Sequence, residues 1–343
     1  MLITAVALLP VVAFLIALVF ADSFKLVPVR QLAWSLAGGI AAALVALALH
    51  DWLFTVTTLS TAHFSRYVAP VTEETLKTLV LLYPLRRNRI GFAVDAAIVG
   101  FAVGTGFALA ENVEYLRTLP NRTVWLWIAR GFGTAVLHGT TAAVIAIAAK
   151  TFADRSRHGL AWILPGWALA VALHSTFNHA LVSPLLAAAI LVIGLPLVVL
   201  VVFTHSEQAT QDWVGDGLDL DVALLELLQS EHFDATRLGR YLDQLRTRFA
   251  GPVVADMFCL LQLDLELGIR AKVTLMARQA GVTMGADEGL RARLAEREYL
   301  ERAIGPTGRL ALRPLQPAGG RDAWHRYLLG QGVGAKKWWP FRS

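Results

Sequence analysis

Apolar positions fall into long blocks over the first 204 residues and then thin out to leucines spaced among charges. The blocks cover approximately residues 2–21, 31–54, 69–85, 91–116, 124–149, 160–182 and 184–204. About 20 consecutive apolar residues suffice to cross the hydrocarbon as an α-helix, so the pattern predicts about seven transmembrane helices. Val19-Phe20-Ala21 has the look of a cleavage site, but no basic n-region precedes the first block, which is expected to be a retained span. Beyond Thr204, segments around 219–229, 235–249, 253–280 and 288–303 place leucine at helical spacing, as in a soluble helical domain. Gly251-Pro252 and Gly281 punctuate it. From Gly305 the chain is rich in Gly, Pro and Arg and ends in Lys336-Lys337-Trp338-Trp339-Pro340-Phe341-Arg342. The expected organisation is all-α: a polytopic membrane bundle over 1–204, a cytoplasmic helical domain over 205–304 that could bind a protein partner, and a flexible basic and aromatic tail over 305–343. Such a tail suits either disorder or an anionic membrane surface.

Composition agrees with an integral membrane protein: 56% of residues are hydrophobic and 17% charged, with a mean hydropathy of +0.54. The formal charge of +5 lies in the membrane half, which has 13 Lys+Arg against 8 Asp+Glu, while the remainder is balanced at 18 each. That distribution orients a membrane protein and does not describe a nucleic-acid surface, so no nucleic-acid partner is expected. Lys25, Arg30, Arg86, Arg87, Arg89, Lys150, Arg155 and Arg157 fall in loops on one side, against Arg66, Arg117 and Arg122 on the other. The positive-inside rule therefore predicts a multi-pass plasma-membrane protein with an extracytoplasmic N-terminus and a cytoplasmic C-terminus. Cys259 stands alone, so it forms no intramolecular disulfide, and it is expected to be a small core residue.

Several polar groups interrupt the apolar blocks. The third carries Glu73, Glu74 and Lys77; on a helix, Lys77 lies four residues from Glu73 and three from Glu74, so the three share a face. The fourth carries Asp95 near its inner end and Glu111, Asn112 and Tyr115 near its outer end. The fifth carries Arg130 and His138, and the sixth His174 and Asn178. Charged groups at membrane depth cost several kcal/mol unless paired or facing a wet cavity, which makes such a cluster a candidate site. Asp95 is expected to lie outside it, and Lys77 to be a counter-ion for the acids. Isolated His50, His63 and His179 read as structural hydrogen-bonders. Gly100, Gly104 and Gly106 suit close helix packing.

Glutamates and histidines around a wet intramembrane pocket fit hydrolysis, with a carboxylate deprotonating water and imidazole or amide groups stabilising an oxyanion. They equally fit two His and one Glu around a catalytic zinc. A proton-coupled transporter with a Glu/His relay, or a non-catalytic membrane scaffold, is the alternative from another class.

The ordered set Glu73-Glu74-x-x-Lys77, Phe107-x-x-x-Glu111-Asn112-x-x-Tyr115, His138 and His174-x-x-x-Asn178 resembles the PrsW-type intramembrane metalloproteases, relatives of the CAAX prenyl endopeptidases and abortive-infection membrane proteins. The resemblance implies a glutamate-dependent peptidase in the bilayer. It would cut membrane-tethered proteins, such as anti-sigma factors, near the extracytoplasmic face. By position, Glu73 or Glu74 would activate water, Glu111 and His138 would bind the water or a divalent metal such as Zn2+ together with His174, and His174 with Asn178 would stabilise the oxyanion. Lys77, Asn112 and Tyr115 would be structural.

Overall fold

The computed structural model describes residues 2–22, 26–119, 123–155, 161–280, 282, 288–315 and 328–329. Lys25, Arg122, Arg157, Gly281 and the terminal basic and aromatic run lie outside them. The described chain is helical and divides into two compact units, Met1–Glu207 and Gln208–Ser343.

In the first unit α1 is Leu2–Ala21, α2 Val29–Val56 and α3 the single turn Thr61–His63. A π-helical turn, Phe64–Val68, joins α3 to α4, Ala69–Arg86. Next come α5, Ala93–Thr118, and α6, Val124–Ile128; a second π-helical turn, Ala129–Thr134, joins α6 to α7, Ala135–Arg155. The unit is completed by α8, Leu164–Asn178, and the start of α9, Pro184–Gln229.

Helix α5 is the axis of this unit. It is buried without interruption from Val94 to Ala108, because its sequence is almost entirely small or aliphatic, and it packs most extensively on α7 and α2. Glycines set the spacing: a Cβ on Gly104 would collide with the His138 carbonyl of α7, and one on Gly106 with the Leu36 carbonyl of α2. Small residues at these crossings let backbones approach closely, the main source of helix association in a solvent as apolar as leucine itself. Pro10 in α1 has no N–H for the Val6 carbonyl four residues back. That carbonyl instead lies against Gly131 in the second π turn, while the Ala7 carbonyl accepts from Asn112 Nδ2 at 2.8 Å. A proline defect thereby becomes a docking point for α1.

Among the described residues, five helices are long and apolar enough to cross a membrane: α1, α2, α5, the α6–α7 helix over Val124–Phe152, and α9. The two remaining expected spans correspond to α4, which carries the buried charges Glu73, Glu74 and Lys77, and to α8, whose 15 residues rise only about 22 Å. Asp95 lies outside the polar cluster, as expected, and caps its own helix: Oδ2 accepts from the N–H groups of Gly91 and Phe92, both at 3.0 Å.

The chain does not break where its composition changes. Helix α9 runs through Thr204 to Gln229, since no proline follows Pro196 within it. The second unit contains α10, Arg237–Leu245, α11, Gly251–Gln279, α12, Glu288–Ala303, and α13, Gly305–Leu312. Leu228, Leu261 and Leu265 form a small core, and buried Lys272 binds Asp221 Oδ2 at 2.6 Å and the Gly217 carbonyl at 2.7 Å. Two expectations fail here. The stretch after Gly305, expected to be loose, is helical to Leu312 because Leu312 is buried, Gly308 fits against Met257, and the Ala311 carbonyl accepts from Tyr241 Oη at 2.8 Å. Cys259 is exposed rather than core, since the buried face of α11 passes through Met257, Leu260 and Leu261 on its other side.

Gly104→Ala is expected to lower the thermal unfolding midpoint, with an overpacking cost of about 1–3 kcal/mol. Gly194→Ala, where the new methyl meets nothing within 4 Å, is expected to leave the midpoint unchanged or slightly raised. Unfolding curves of the two variants in the same detergent compare them directly.

Candidate active site

Both π-helical turns immediately precede helices that carry the polar cluster. Such turns insert an extra residue and re-aim the helix beyond them, and they recur at functional sites. After the first, Glu73, Glu74 and Lys77 face inward and are buried; after the second, so are His138 and Thr141, one turn apart on α7. Helix α8 contributes His174 and α5 contributes Glu111 and Asn112.

Glu74 is the hub. Its Oε1 lies 2.8 Å from Lys77 Nζ, 2.8 Å from His174 Nδ1 and 3.1 Å from Thr141 Oγ1. Three donors from α4, α8 and α7 thus converge on one oxygen. A carboxylate oxygen accepts, so His174 presents Nδ1–H to Glu74, and its Nε2 lone pair is left facing Glu73 Oε2 at 3.9 Å. The same logic sets the tautomer of His138. Lys77 Nζ donates to Nδ1 at 2.7 Å, so Nε2 carries the hydrogen and donates to Glu111 Oε2 at 3.1 Å. His138 Nδ1 also lies 3.9 Å from Glu73 Oε2, and the two imidazoles meet edge to face at 5.0 Å.

Glu111 is held in turn by Arg130, whose Nη2 is 3.2 Å from Oε2 and whose Nε donates to Asn112 Oδ1 at 3.1 Å. The guanidinium lies 3.7 Å from the centre of the Tyr115 ring. Arg130 therefore pairs with Glu111, a choice the sequence leaves open.

Ligand atoms of Glu73, His138 and His174 all lie within 4.8 Å of one another. Glu73 Oε2, which faces both histidines, has no hydrogen-bond partner among the described residues, and neither has Glu74 Oε2. Unpaired carboxylate oxygens in a buried site are costly. A cation, a proton or ordered water resolves that cost, and a carboxylate with two imidazoles is the donor set of many catalytic zinc sites. The residues present therefore fit a divalent metal, with one correction: Glu73 completes the set in place of Glu111, whose Oε2 is engaged by Arg130 and His138.

Asn178 is not brought into this network. It donates Nδ2 to the Ser65 carbonyl at 2.8 Å, beside Ser175 Oγ, which donates to the Arg66 carbonyl at 2.6 Å. The C-terminal end of α8 is thereby tied to the first π turn. Thr141 is a member of the network that the sequence pattern does not single out; its only signal is its position three residues after His138. His50, expected to be a structural hydrogen-bonder, pairs with Thr72 Oγ1 at 2.7 Å, next to Glu73 in the chain.

No curated protein and no solved structure matches the chain. The family model for PrsW family intramembrane metalloproteases matches residues 27–204. That is more than half of the 343 residues, and it contains every side chain of the polar network. With residues from each of its ordered motifs meeting in one buried carboxylate–imidazole site, the chain belongs to the PrsW family of intramembrane metalloproteases.

Proposed function

We propose that this metalloprotease hydrolyses a peptide bond in a membrane-tethered protein of the anti-sigma-factor type, and that Glu73 is the water-activating carboxylate while Glu74 is the anchor. One observation carries the assignment: Glu74 Oε1 is saturated by three donors, whereas Glu73 Oε2 is unpaired and faces both imidazoles. Glu73, His138 and His174 would hold the divalent metal, which when bound polarises a carbonyl and acidifies water.

The chain's own residues account for the rest of the chemistry. Glu73 accepts the proton of the water whose oxygen attacks the scissile carbonyl carbon. As the C–N bond breaks, the same carboxyl returns the proton to the leaving amine. Glu74 fixes the tautomer and orientation of His174, and Glu111 with Arg130 does the same for His138; such outer partners orient ligands and raise their basicity. Thr141 and Lys77 hold Glu74 in turn.

Depth along α4 supports the proposed cleavage position. Glu73 lies about 6 Å along α4 from Ala69, whereas Arg86 and its basic loop lie about 20 Å beyond it. With the basic loops in the cytoplasm, that depth favours cleavage near the extracytoplasmic face and leaves the second unit inside. A juxtamembrane segment of a substrate reaches such a site without crossing the bilayer.

Co-expression with a candidate substrate library separates the two glutamates. Glu73→Gln should fold normally and lose cleavage by about 10²–10⁴-fold, the range for removing a general base. Glu74→Gln should also lower the unfolding midpoint, since each hydrogen bond to a charged group contributes about 1.5–3 kcal/mol. If Glu73→Gln still cleaves at the wild-type rate, Glu73 is not the base. Chelator treatment should abolish cleavage and re-addition of metal restore it, with metal content falling below stoichiometric in His138→Ala; full activity in a protein shown to be metal-free overturns the metal assignment.

A further inference from the structure

Lys77 does more than neutralise a glutamate. Its Nζ is fully buried and has two polar contacts, Glu74 Oε1 at 2.8 Å and His138 Nδ1 at 2.7 Å, with the Phe107 ring face 4.5 Å away. The second contact stands out chemically. His138 Nδ1 is the nitrogen that faces Glu73 Oε2, and its single in-plane lone pair is committed to the ammonium. Its other nitrogen is committed to Glu111. A divalent cation shared by Glu73, His138 and His174 would need that same lone pair, and it would stand close to an ammonium of like charge.

We propose that Lys77 is a resident competitor for the metal: in the metal-free protein its ammonium occupies the His138 donor, and loading requires the Lys77–His138 hydrogen bond to break. The inference rests on the metal reading of the site given above. Lys77 is suited to yield. Its ammonium sits on a flexible four-carbon stem with three donors, and Glu74 Oε1 remains as an anchor when His138 is released. An arginine, with a planar fork, could not exchange partners in this way. The ammonium also supplies positive charge to a site that gathers several buried carboxylates. A counter-ion that served Glu74 alone would have no reason to contact His138.

Purified protein in nanodiscs, stripped with chelator and titrated with Co2+ against a chromophoric chelator, tests this directly. Lys77→Met removes the donor and keeps the length of the stem. Thr78→Val removes a buried hydroxyl of the same helix that donates to the Glu74 backbone carbonyl, outside the carboxylate–imidazole network. Lys77→Met should bind Co2+ at least about tenfold more tightly than wild type, as expected for removing a charge-assisted hydrogen bond that binding must break, and Thr78→Val should stay within about threefold. Equal or weaker affinity in folded Lys77→Met overturns the competitor role alone. Absence of Co2+ binding in wild type and both variants overturns the metal reading, and the competitor role with it. Should Lys77→Met fail to fold, X-ray absorption of Zn2+-loaded wild type decides the matter: two imidazole ligands mean that Lys77 has released His138, and one imidazole overturns the proposal.

Discussion

The rest of the membrane unit depends on the convergence of donors on one oxygen of Glu74. A carboxylate and an ammonium taken out of water each lose several kcal/mol of solvation, and attraction compensates only where geometry is good and the remaining hydrogen-bond capacity is used. Here Lys77, Thr141 and His174 meet these conditions from three different helices. Removing any one leaves a buried acceptor short, so α4, α7 and α8 are constrained to one arrangement. The site is therefore also the polar core of the bundle, and the arrangement that stabilises Glu74 orients the imidazole of His174.

Apolar packing brings those polar groups to one height. The glycines of α5 let α2 and α7 approach until only a hydrogen separates backbone from backbone, which brings Glu111 of α5 within hydrogen-bond reach of His138 of α7. Arg130, at the start of the second π turn, links Glu111 to Asn112, and Asn112 reaches the Ala7 carbonyl of α1. A chain of contacts thus runs from the first helix to the histidines.

The second unit obeys soluble rules. Its buried charges, Lys272 with Asp221 and Arg297 with Asp264 and Glu301, are paired side chain to side chain, and its leucines close a small core. The helix after Gly305 forms although its composition reads as loose: one buried leucine and one glycine contact outweigh local propensity.

Hydrophobic block length and loop charge determined a helical membrane protein with a distinct C-terminal region, because bilayer thickness imposes a length that is directly visible in the chain. The types and order of the polar residues in the third to sixth blocks determined the family and most of the site, because chemistry at membrane depth is too costly to occur without a role. Tertiary structure alone decided that Glu74 Oε1 meets three donors while Glu73 Oε2 faces both imidazoles unpaired, that Glu73 is the carboxylate lying among the ligand atoms of the two histidines, that Arg130 turns inward, and that Asn178 ties α8 to the first π turn. Those choices depend on helix rotation. A π turn shifts rotation by about 100° per inserted residue, and the sequence pattern of α4 and α7 carries no mark of that shift.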